Sequence, residues 1–263
     1  MERTAILVLG HGSRRARANA EFEALVGGFR RRRPDLDVGH AYIELAEPLL
    51  ADGLARLAAR AERVIVLPFF LFAASHLKED VPHALGAARS AFPRVRFQAA
   101  RPLGVHRAIV AIALDHVRSA LRPHEPGGAV LLAVGRGASD ADANGDFCKM
   151  VRLVGEAGGF DRAEPSFMAI TAPRLEAAAE RLALADPERV VVLPYFLFDG
   201  LLVEQLSDEV RRFAERHPGI DVRVARHLGG DDRVLALLEE RLDEVVSSGA
   251  SLPCEACPRS AAA

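Results

Sequence analysis

The sequence has little of several features that mark common classes of protein. It contains three cysteines among 263 residues, too few for the disulfide framework of a small secreted protein. Its apolar runs all fall short of the roughly 20 residues that a transmembrane helix needs. The apolar run at residues 5–9 is also too short for the core of a signal peptide. We therefore expect a soluble, cytoplasmic protein that has no membrane partner.

The chain also lacks a large charge of either sign. Its net charge is -2, whereas phosphate-binding surfaces usually carry a basic excess, which argues against nucleic acid as the main partner. No P-loop is present, and GHGS at residues 10–13 lacks the spacing of a dinucleotide-binding glycine motif. No nucleophile elbow or Ser-His-Asp order is present. A hydrolase that uses Ser13 with His11 is therefore a distant alternative.

The most informative stretch is VIVLPFFLFAASH at residues 64–76. Its first five residues form a β-branched apolar run, which is typical of a strand buried on both faces of a parallel sheet. A close copy, VVVLPYFLF, occurs at residues 190–198. The segment ILVLGHG at residues 6–12 likewise recurs as LLAVGRG at 131–137. The chain is therefore a tandem duplication.

Each half shows four alternating strand and helix patterns in the same order. This alternation predicts an α/β fold with two tandem repeats, each a four-stranded parallel sheet flanked by helices in a flavodoxin-like topology. The segment PHEPGG at residues 123–128 has the composition of a linker. We expect an active amino-terminal repeat at residues 1–124, a degenerate repeat at 128–247 and a flexible tail at 248–263.

Three chemically versatile side chains follow the first three predicted strands. His11 follows the first strand, Glu44 the second and His76 the third. Because the carboxyl ends of parallel strands share one edge of the sheet, we expect these side chains to converge. The second repeat has lost all three, since the matching positions, with one residue inserted before the last, hold Arg136, Ala169 and Leu202. This joint loss indicates one chemical site, in the first repeat.

Two imidazoles and a carboxylate suit borderline divalent metals such as iron, cobalt or nickel. Three ligands are fewer than a closed structural site uses, so the bound ion should exchange. The same groups are basic near neutral pH and can also accept protons.

Three separated motifs connect these residues to a known family. The segments GHGSR (10–14), YIELAEP (42–48) and LPFFLFAASHLKEDVP (67–82) resemble the sirohydrochlorin chelatases, class II chelatases of the CbiX and SirB kind. The resemblance covers nearly the whole chain. It implies that the protein inserts Co²⁺ or Fe²⁺ as a substrate into sirohydrochlorin, a tetrapyrrole of the cobalamin and sirohaem pathways. The ligand types also accept Ni²⁺. The resemblance also implies that His11 and His76 bind the metal and take up pyrrole protons, while Glu44 assists with either task.

Sirohydrochlorin carries many carboxylates, which favour contacts with basic side chains. Four basic residues lie near the same predicted edge of the sheet. We therefore expect substrate-binding roles for these residues and for the neighbouring serine, that is, for Arg14, Arg15, Lys78, Arg101 and Ser13.

A pair of cysteines in CxxC spacing, Cys254 and Cys257, lies in the predicted tail. Some long members of the resembled family carry a similar motif that is associated with an iron-sulfur cluster. A cluster takes four thiolates, so two tails of a homodimer would have to supply them. A redox dithiol, a loose metal-acquisition site or a tail without function explains the spacing equally well. The sequence is compatible with a monomer or a homodimer.

A non-catalytic protein that binds or delivers a metal or a tetrapyrrole is the second interpretation, because it would use the same open site. The ligand types do not select among cobalt, iron and nickel. They do not select between the sirohaem and cobalamin pathways either.

Overall fold

The structure is a computed structural model that describes residues 2–121 and 128–248. The elements of the first repeat are β1 Thr4–Gly10, α1 Ala16–Arg32, β2 Asp37–Tyr42, α2 Leu50–Ala58, β3 Arg63–Pro68, α3 Val81–Ala91, β4 Arg96–Ala99 and α4 Arg107–Ala120, with a π-helical turn at His76–Asp80. Those of the second are β5 Ala129–Gly135, α5 Ala141–Gly158, β6 Arg162–Phe167, α6 Leu175–Ala183, β7 Arg189–Pro194, α7 Leu201–Arg216, β8 Asp221–Val224 and α8 Asp232–Ser248.

Each repeat forms one parallel sheet of four strands. The strand orders are β2-β1-β3-β4 and β6-β5-β7-β8, which confirms the predicted fold of two tandem α/β repeats. The strand β1 pairs with both β2 and β3, so that Val8 lies opposite His40 on one side and Leu67 on the other. The central strands β1 and β3 are apolar along almost their whole length because helices cover both of their faces. None of the helices in the described part of the chain is long and apolar enough to span a membrane.

The compact units of the structure do not follow the boundaries of the sequence repeats. Within the described residues, one unit contains residues 2–104 together with 234–248, and the other contains Val105–Arg233. The predicted limits 1–124 and 128–247 therefore describe the repeats, whereas in space α4 belongs to the second unit and α8 to the first. The predicted tail, 248–263, lies outside the described residues apart from its first residue, which ends α8.

Burial of apolar side chains accounts for this exchange of helices. The helix α4 packs on α5, β7 and β8, and its residues Ile109, Ile112 and Val117 are fully buried. In the first unit, Leu237 and Leu242 of α8 are each only 1% exposed. An amphipathic helix gains its stability from burying its apolar face, and the sheet that it covers need not come from its own repeat.

Gly53 allows α2 to lie close against the first sheet. An added Cβ would lie 2.8 Å from the Cβ of Ala41 and 3.0 Å from Cδ1 of Leu7. We expect Gly53→Ala to lower the free energy of unfolding by about 1–3 kcal/mol, the usual cost of overpacking. The control is Gly86→Ala in α3, where an added Cβ meets no heavy atom within 4 Å.

The control should raise the free energy of unfolding by about 0.5–1 kcal/mol, because alanine is the better helix former. Urea unfolding of both variants measures the difference. Equal effects of the two changes would contradict the close approach of α2.

Candidate metal centre

The side chains of His11, Glu44 and His76 converge at the carboxyl edge of the first sheet, as the sequence predicts. One potential ligand atom from each lies within 4.8 Å of the other two. Nε2 of His11 is 3.8 Å from Oε1 of Glu44, and the two imidazole rings lie 5.1 Å apart at 89° to each other. Metal–ligand bonds of about 2.0–2.2 Å leave ligand atoms roughly 3–3.5 Å apart, so modest rotation of the side chains closes the cluster around one ion.

Backbone contacts between two loops place His11 beside Glu44. The N–H of Ile43 donates to the carbonyl oxygen of Gly10, and the N–H of Glu44 donates to that of His11, both at 3.0 Å. Gly12 lies where the loops meet and has a φ of +91°, and a Cβ there would lie 1.8 Å from the carbonyl oxygen of Glu44. This backbone conformation and this close approach both require glycine.

The loop that carries Glu44 has the same shape in both repeats. Leu45 and its match Ile170 both have a φ of 64°, and the peptide bonds Glu47–Pro48 and Ala172–Pro173 are both cis. The second repeat keeps this shape although it has Ala169 in place of the glutamate. The loop conformation is therefore a property of the fold, and the chemistry depends on the side chain that the loop presents.

His76 is oriented by a partner that the sequence analysis missed. Its Nδ1 lies 2.6 Å from Oδ2 of Asp80. An ionised carboxylate accepts a hydrogen from Nδ1, which leaves Nε2 of the imidazole as the ligand atom. Nδ1 of His11 lies 3.2 Å from the carbonyl oxygen of Gly12, which leaves Nε2 of that ring in the same role. The i,i+4 spacing within HLKED was the available signal for Asp80.

The π-helical turn at His76–Asp80 brings this pair together. The turn is closed by a hydrogen bond from the N–H of Val81 to the carbonyl oxygen of His76. Pro82 follows directly and has no N–H with which to continue an α-helical ladder through this turn. Such wide turns occur frequently at functional sites.

The cluster is open to solvent. The side chains of His11, Glu44 and His76 are 28%, 46% and 39% exposed. The ring of Phe70 lies 6.3 Å from that of His11 and provides an apolar wall on one side. An exposed set of three ligands can take up a metal and release it again, unlike a closed structural site.

The predicted substrate-binding residues near the cluster have different surroundings. Arg14 and Arg15 are exposed at the start of α1, and Lys78 is half-buried in the π-helical turn. Oγ of Ser13 accepts a hydrogen bond from the backbone N–H of Arg15 at 3.1 Å. This serine therefore shapes the turn into α1.

Arg101 differs from the other predicted substrate-binding residues because it contacts α8. Its guanidinium donates to both carboxylate oxygens of Glu244, at 2.7 and 3.2 Å. A role of Arg101 in substrate binding stays a prediction, and it requires this ion pair to open.

The matching region of the second repeat is part of a hydrophobic core. Leu202, which matches His76, is half-buried and packs against the core cluster that contains Leu206, the match of Asp80. A regular helix, α7, begins at Leu201 in place of the π-helical turn. Among the described residues, the cluster in the first repeat is the one group with the proximity needed for a metal.

A cavity of about 290 Å³ lies within the second unit, between α6 and α7. Apolar side chains such as Leu132, Val192 and Phe213 form part of its lining, together with Arg174 and Arg212. It contains none of the predicted site residues. The candidate metal centre is therefore identified by the side chains that meet there, and not by a position inside a cavity.

Two of the three cysteines belong to the predicted tail. Cys254 and Cys257 lie outside the described residues. Cys148 is exposed in α5 of the second unit, and partial burial of its thiol raises its pKa. One chain has three cysteines, one fewer than the four thiolates of a cluster, so a single chain does not supply a complete ligand set.

The fold and the site together define an α/β protein that presents an open cluster of potential metal ligands at the carboxyl edge of a parallel sheet. The chain belongs to the CbiX family, whose model matches residues 5–120 and 130–245. These two matches agree with the duplication that the sequence predicts.

Curated relatives match along most of the chain. The sequence is 31% identical over 261 residues to the sirohydrochlorin cobaltochelatase of Priestia megaterium, covering 96% of this chain and 83% of the relative. It is 28% identical to the sirohydrochlorin ferrochelatase of Bacillus subtilis (strain 168), covering 82% of each chain. The structure of SirB from Bacillus subtilis with Fe³⁺ superposes with a TM-score of 0.82 at 25% identity, covering 94% of this chain and 97% of that one.

A matched pair of substitutions tests how the two loops position Glu44. Gly12→Ala and Gly137→Ala place a Cβ 1.8 Å from the carbonyl oxygen of Glu44 and 2.2 Å from that of Ala169, respectively. Both variants should lose stability. Only Gly12→Ala should also weaken Co²⁺ binding, by about tenfold or more, because it displaces a ligand loop.

Titration with Co²⁺, followed by visible absorbance, measures the affinity, and urea unfolding measures the stability. Equal Co²⁺ affinity of the two folded variants would show that the loop contact does not position Glu44.

Proposed function

We propose that the protein is a sirohydrochlorin chelatase, a lyase that inserts Co²⁺ or Fe²⁺ into the tetrapyrrole. The observation that carries the proposal is the open cluster of His11, Glu44 and His76. Membership of the CbiX family supports it, as do the names of the relatives that match most of the chain, sirohydrochlorin cobaltochelatase and sirohydrochlorin ferrochelatase.

The three ligands meet the main requirement of metal insertion. A divalent ion must be held long enough to lose water, yet loosely enough to pass to the four nitrogens of the macrocycle. Two imidazoles and one exposed carboxylate leave coordination positions for water and for a ring nitrogen. As bonds to the ring nitrogens form, the bonds to Nε2 of His11 and His76 break.

Insertion of M²⁺ releases two protons from the pyrrole N–H groups, and these protons need acceptors. Each imidazole recovers a free lone pair on Nε2 when the metal leaves it, so it becomes a general base at that moment. Asp80 stabilises the resulting positive charge on His76 through its hydrogen bond to Nδ1. Glu44 is 46% exposed and can pass a proton to water.

Basic side chains at the same edge of the sheet orient the substrate. Arg14, Arg15 and Lys78 form charge-assisted contacts with the carboxylates of sirohydrochlorin. Phe70, beside His11, contacts the apolar face of the macrocycle. Ser13 and Arg101 belong to the same predicted set, and Arg101 takes part when it separates from Glu244.

The choice of metal and the state of assembly belong to this proposal as alternatives. Relatives named as cobaltochelatase and as ferrochelatase both match the chain, and the ligand types also accept Ni²⁺. The cobalamin and sirohaem pathways both fit these metals. An iron-sulfur cluster on Cys254 and Cys257 requires a homodimer, whereas a redox dithiol on the same pair is compatible with a monomer.

A non-catalytic carrier of a metal or a tetrapyrrole is the second candidate, because the ligands are open to solvent. The two candidates differ in turnover. Anaerobic mixing with excess sirohydrochlorin and Co²⁺ or Fe²⁺, followed by absorbance, should show catalytic conversion above the protein-free control. Conversion of no more than one equivalent would favour the carrier, and spectra identical to the control for every metal would exclude the chelatase.

Substitution of a ligand and of its match in the second repeat tests the assignment of the site. His76→Ala should lower chelatase activity by at least about 100-fold. It removes a metal ligand, whereas loss of a residue that only orients a ligand costs about 10–100-fold. Leu202→Ala should lower the stability of the second unit and leave the activity of the folded protein close to that of the wild type. An active His76→Ala variant would contradict the assignment.

The role of Asp80 in orienting His76 can be tested with Glu79, an exposed acid in the same turn, as the control. Asp80→Ala should weaken Co²⁺ binding by about 10–100-fold, because His76 loses the group that fixes its ring and tautomer. Asp80→Asn keeps an acceptor for Nδ1–H and should recover part of this loss. Glu79→Ala removes the same charge without touching His76 and should bind Co²⁺ like the wild type. Equal losses in Asp80→Ala and Glu79→Ala would indicate a general charge effect.

A further inference from the structure

Arg241 in α8 is a charged side chain that is almost completely buried, with 5% exposure. Its Nε donates to the carbonyl oxygen of Pro102 at 2.9 Å, and its NH2 nitrogen donates to that of Leu103 at 2.7 Å. Its NH1 nitrogen lies 2.7 Å from a carboxylate oxygen of Glu244. Burial of a charge is unfavourable unless its donors are satisfied, and here all three nitrogens have acceptors.

The loop that Arg241 contacts lies directly against the loop that leads to His76. The N–H of Leu103 donates to the carbonyl oxygen of Phe70 at 2.9 Å, and the N–H of Gly104 donates to that of Leu71 at 2.8 Å. The segment 100–104 is therefore held on one side by α8 and, on the other, holds the chain that leaves β3. His76 begins its turn five residues after Leu71.

Glu244 attaches the same segment to α8 at a second point. One of its carboxylate oxygens lies 2.7 Å from a nitrogen of Arg241 and also 2.7 Å from a nitrogen of Arg101. Arg101 directly precedes Pro102. The three side chains thus form one network, which we name the α8 clamp, and it consists of Arg101, Arg241 and Glu244.

The matching positions of the second unit do not repeat the residues of the α8 clamp. The residues of α4 that match Arg241 and Glu244 are His116 and Ser119. Nδ1 of His116 is buried and has no hydrogen-bond partner among the described residues. Burial lowers the pKa of this histidine, with the nearby Arg226, the match of Arg101, as the next contribution. The second unit therefore has a buried imidazole at the position of Arg241 and a serine at the position of Glu244.

We propose that Arg241 is a positioning residue for the metal centre, acting through the segment 100–104 on the chain that presents Phe70 and His76. The last helix of the degenerate repeat is thereby part of the site of the first repeat, which gives that repeat a role although it has lost the metal ligands. The link to catalysis rests on the proposed function, whereas the link to metal binding does not.

The test compares variants of Arg241 with a control at the matching position of the second unit. Arg241→Met keeps the apolar stem and removes every hydrogen bond, so Co²⁺ affinity should fall by about tenfold, at the lower end of the range for outer partners of a metal site. The visible spectrum of bound Co²⁺ should also change, because the geometry of the ligands changes. Arg241→Lys keeps one charged donor and should recover part of the affinity. His116→Met should bind Co²⁺ with wild-type affinity and spectrum.

A folded Arg241→Met variant that binds Co²⁺ with wild-type affinity and spectrum would overturn the proposal. If this variant does not fold, Glu244→Gln decides, because glutamine keeps an oxygen acceptor for Arg241 and removes the carboxylate charge that Arg241 and Arg101 share. It should lower Co²⁺ affinity by about threefold or more, and unchanged affinity would overturn the proposal. Loss of Co²⁺ affinity in a protein whose wild type has no chelatase activity would support the positioning role and refute the proposed function.

Discussion

The parallel pairing of β1 with β2 and β3 is the constraint on which the site depends. This pairing sets Gly10 opposite Tyr42 and Leu9 opposite Pro68, so the chain leaves all three strands at one edge of the sheet. The candidate metal ligands, which are far apart in sequence, follow these strands and therefore lie near that edge. Glycine at position 12 then allows the first two loops to touch, and the hydrogen bond from Asp80 orients the third ligand.

The duplication separates what the fold requires from what the chemistry requires. Both repeats keep the strand order. Both also keep a left-handed residue in the loop after the second strand, Leu45 or Ile170, and a glycine in the loop after the first strand, Gly12 or Gly137. Among the described residues, the cluster of potential metal ligands lies in the first repeat. The second repeat fills the corresponding region with leucine side chains that join its core. The exchange of α4 and α8 keeps the two repeats dependent on each other, because each unit is completed by a helix from the other repeat.

Strand patterns and strand ends predicted the sheets and the meeting of His11, Glu44 and His76. Strand periodicity is encoded locally, and the alternation of strands and helices implies parallel strands whose carboxyl ends share one edge. The exchange of helices was not predictable, since an amphipathic pattern reveals which face of α4 is buried but not which sheet buries it. Arg101 was expected to face substrate, but its partner Glu244 lies on a helix that the sequence alone assigns to the other repeat. Asp80 was missed although its i,i+4 spacing from His76 is visible in the sequence, because the strand pattern does not show that a helical turn begins at His76.

X-ray absorption at the cobalt edge of the Co²⁺-loaded protein tests the central claim most directly. The account predicts one Co²⁺ per chain at this centre, with outer-shell scattering from two imidazole rings and with additional oxygen ligands from Glu44 and water. Each single variant, His11→Ala or His76→Ala, should lose the scattering of one imidazole ring. A first shell of oxygen alone, or an imidazole signal that neither substitution changes, would contradict a metal site formed by these side chains.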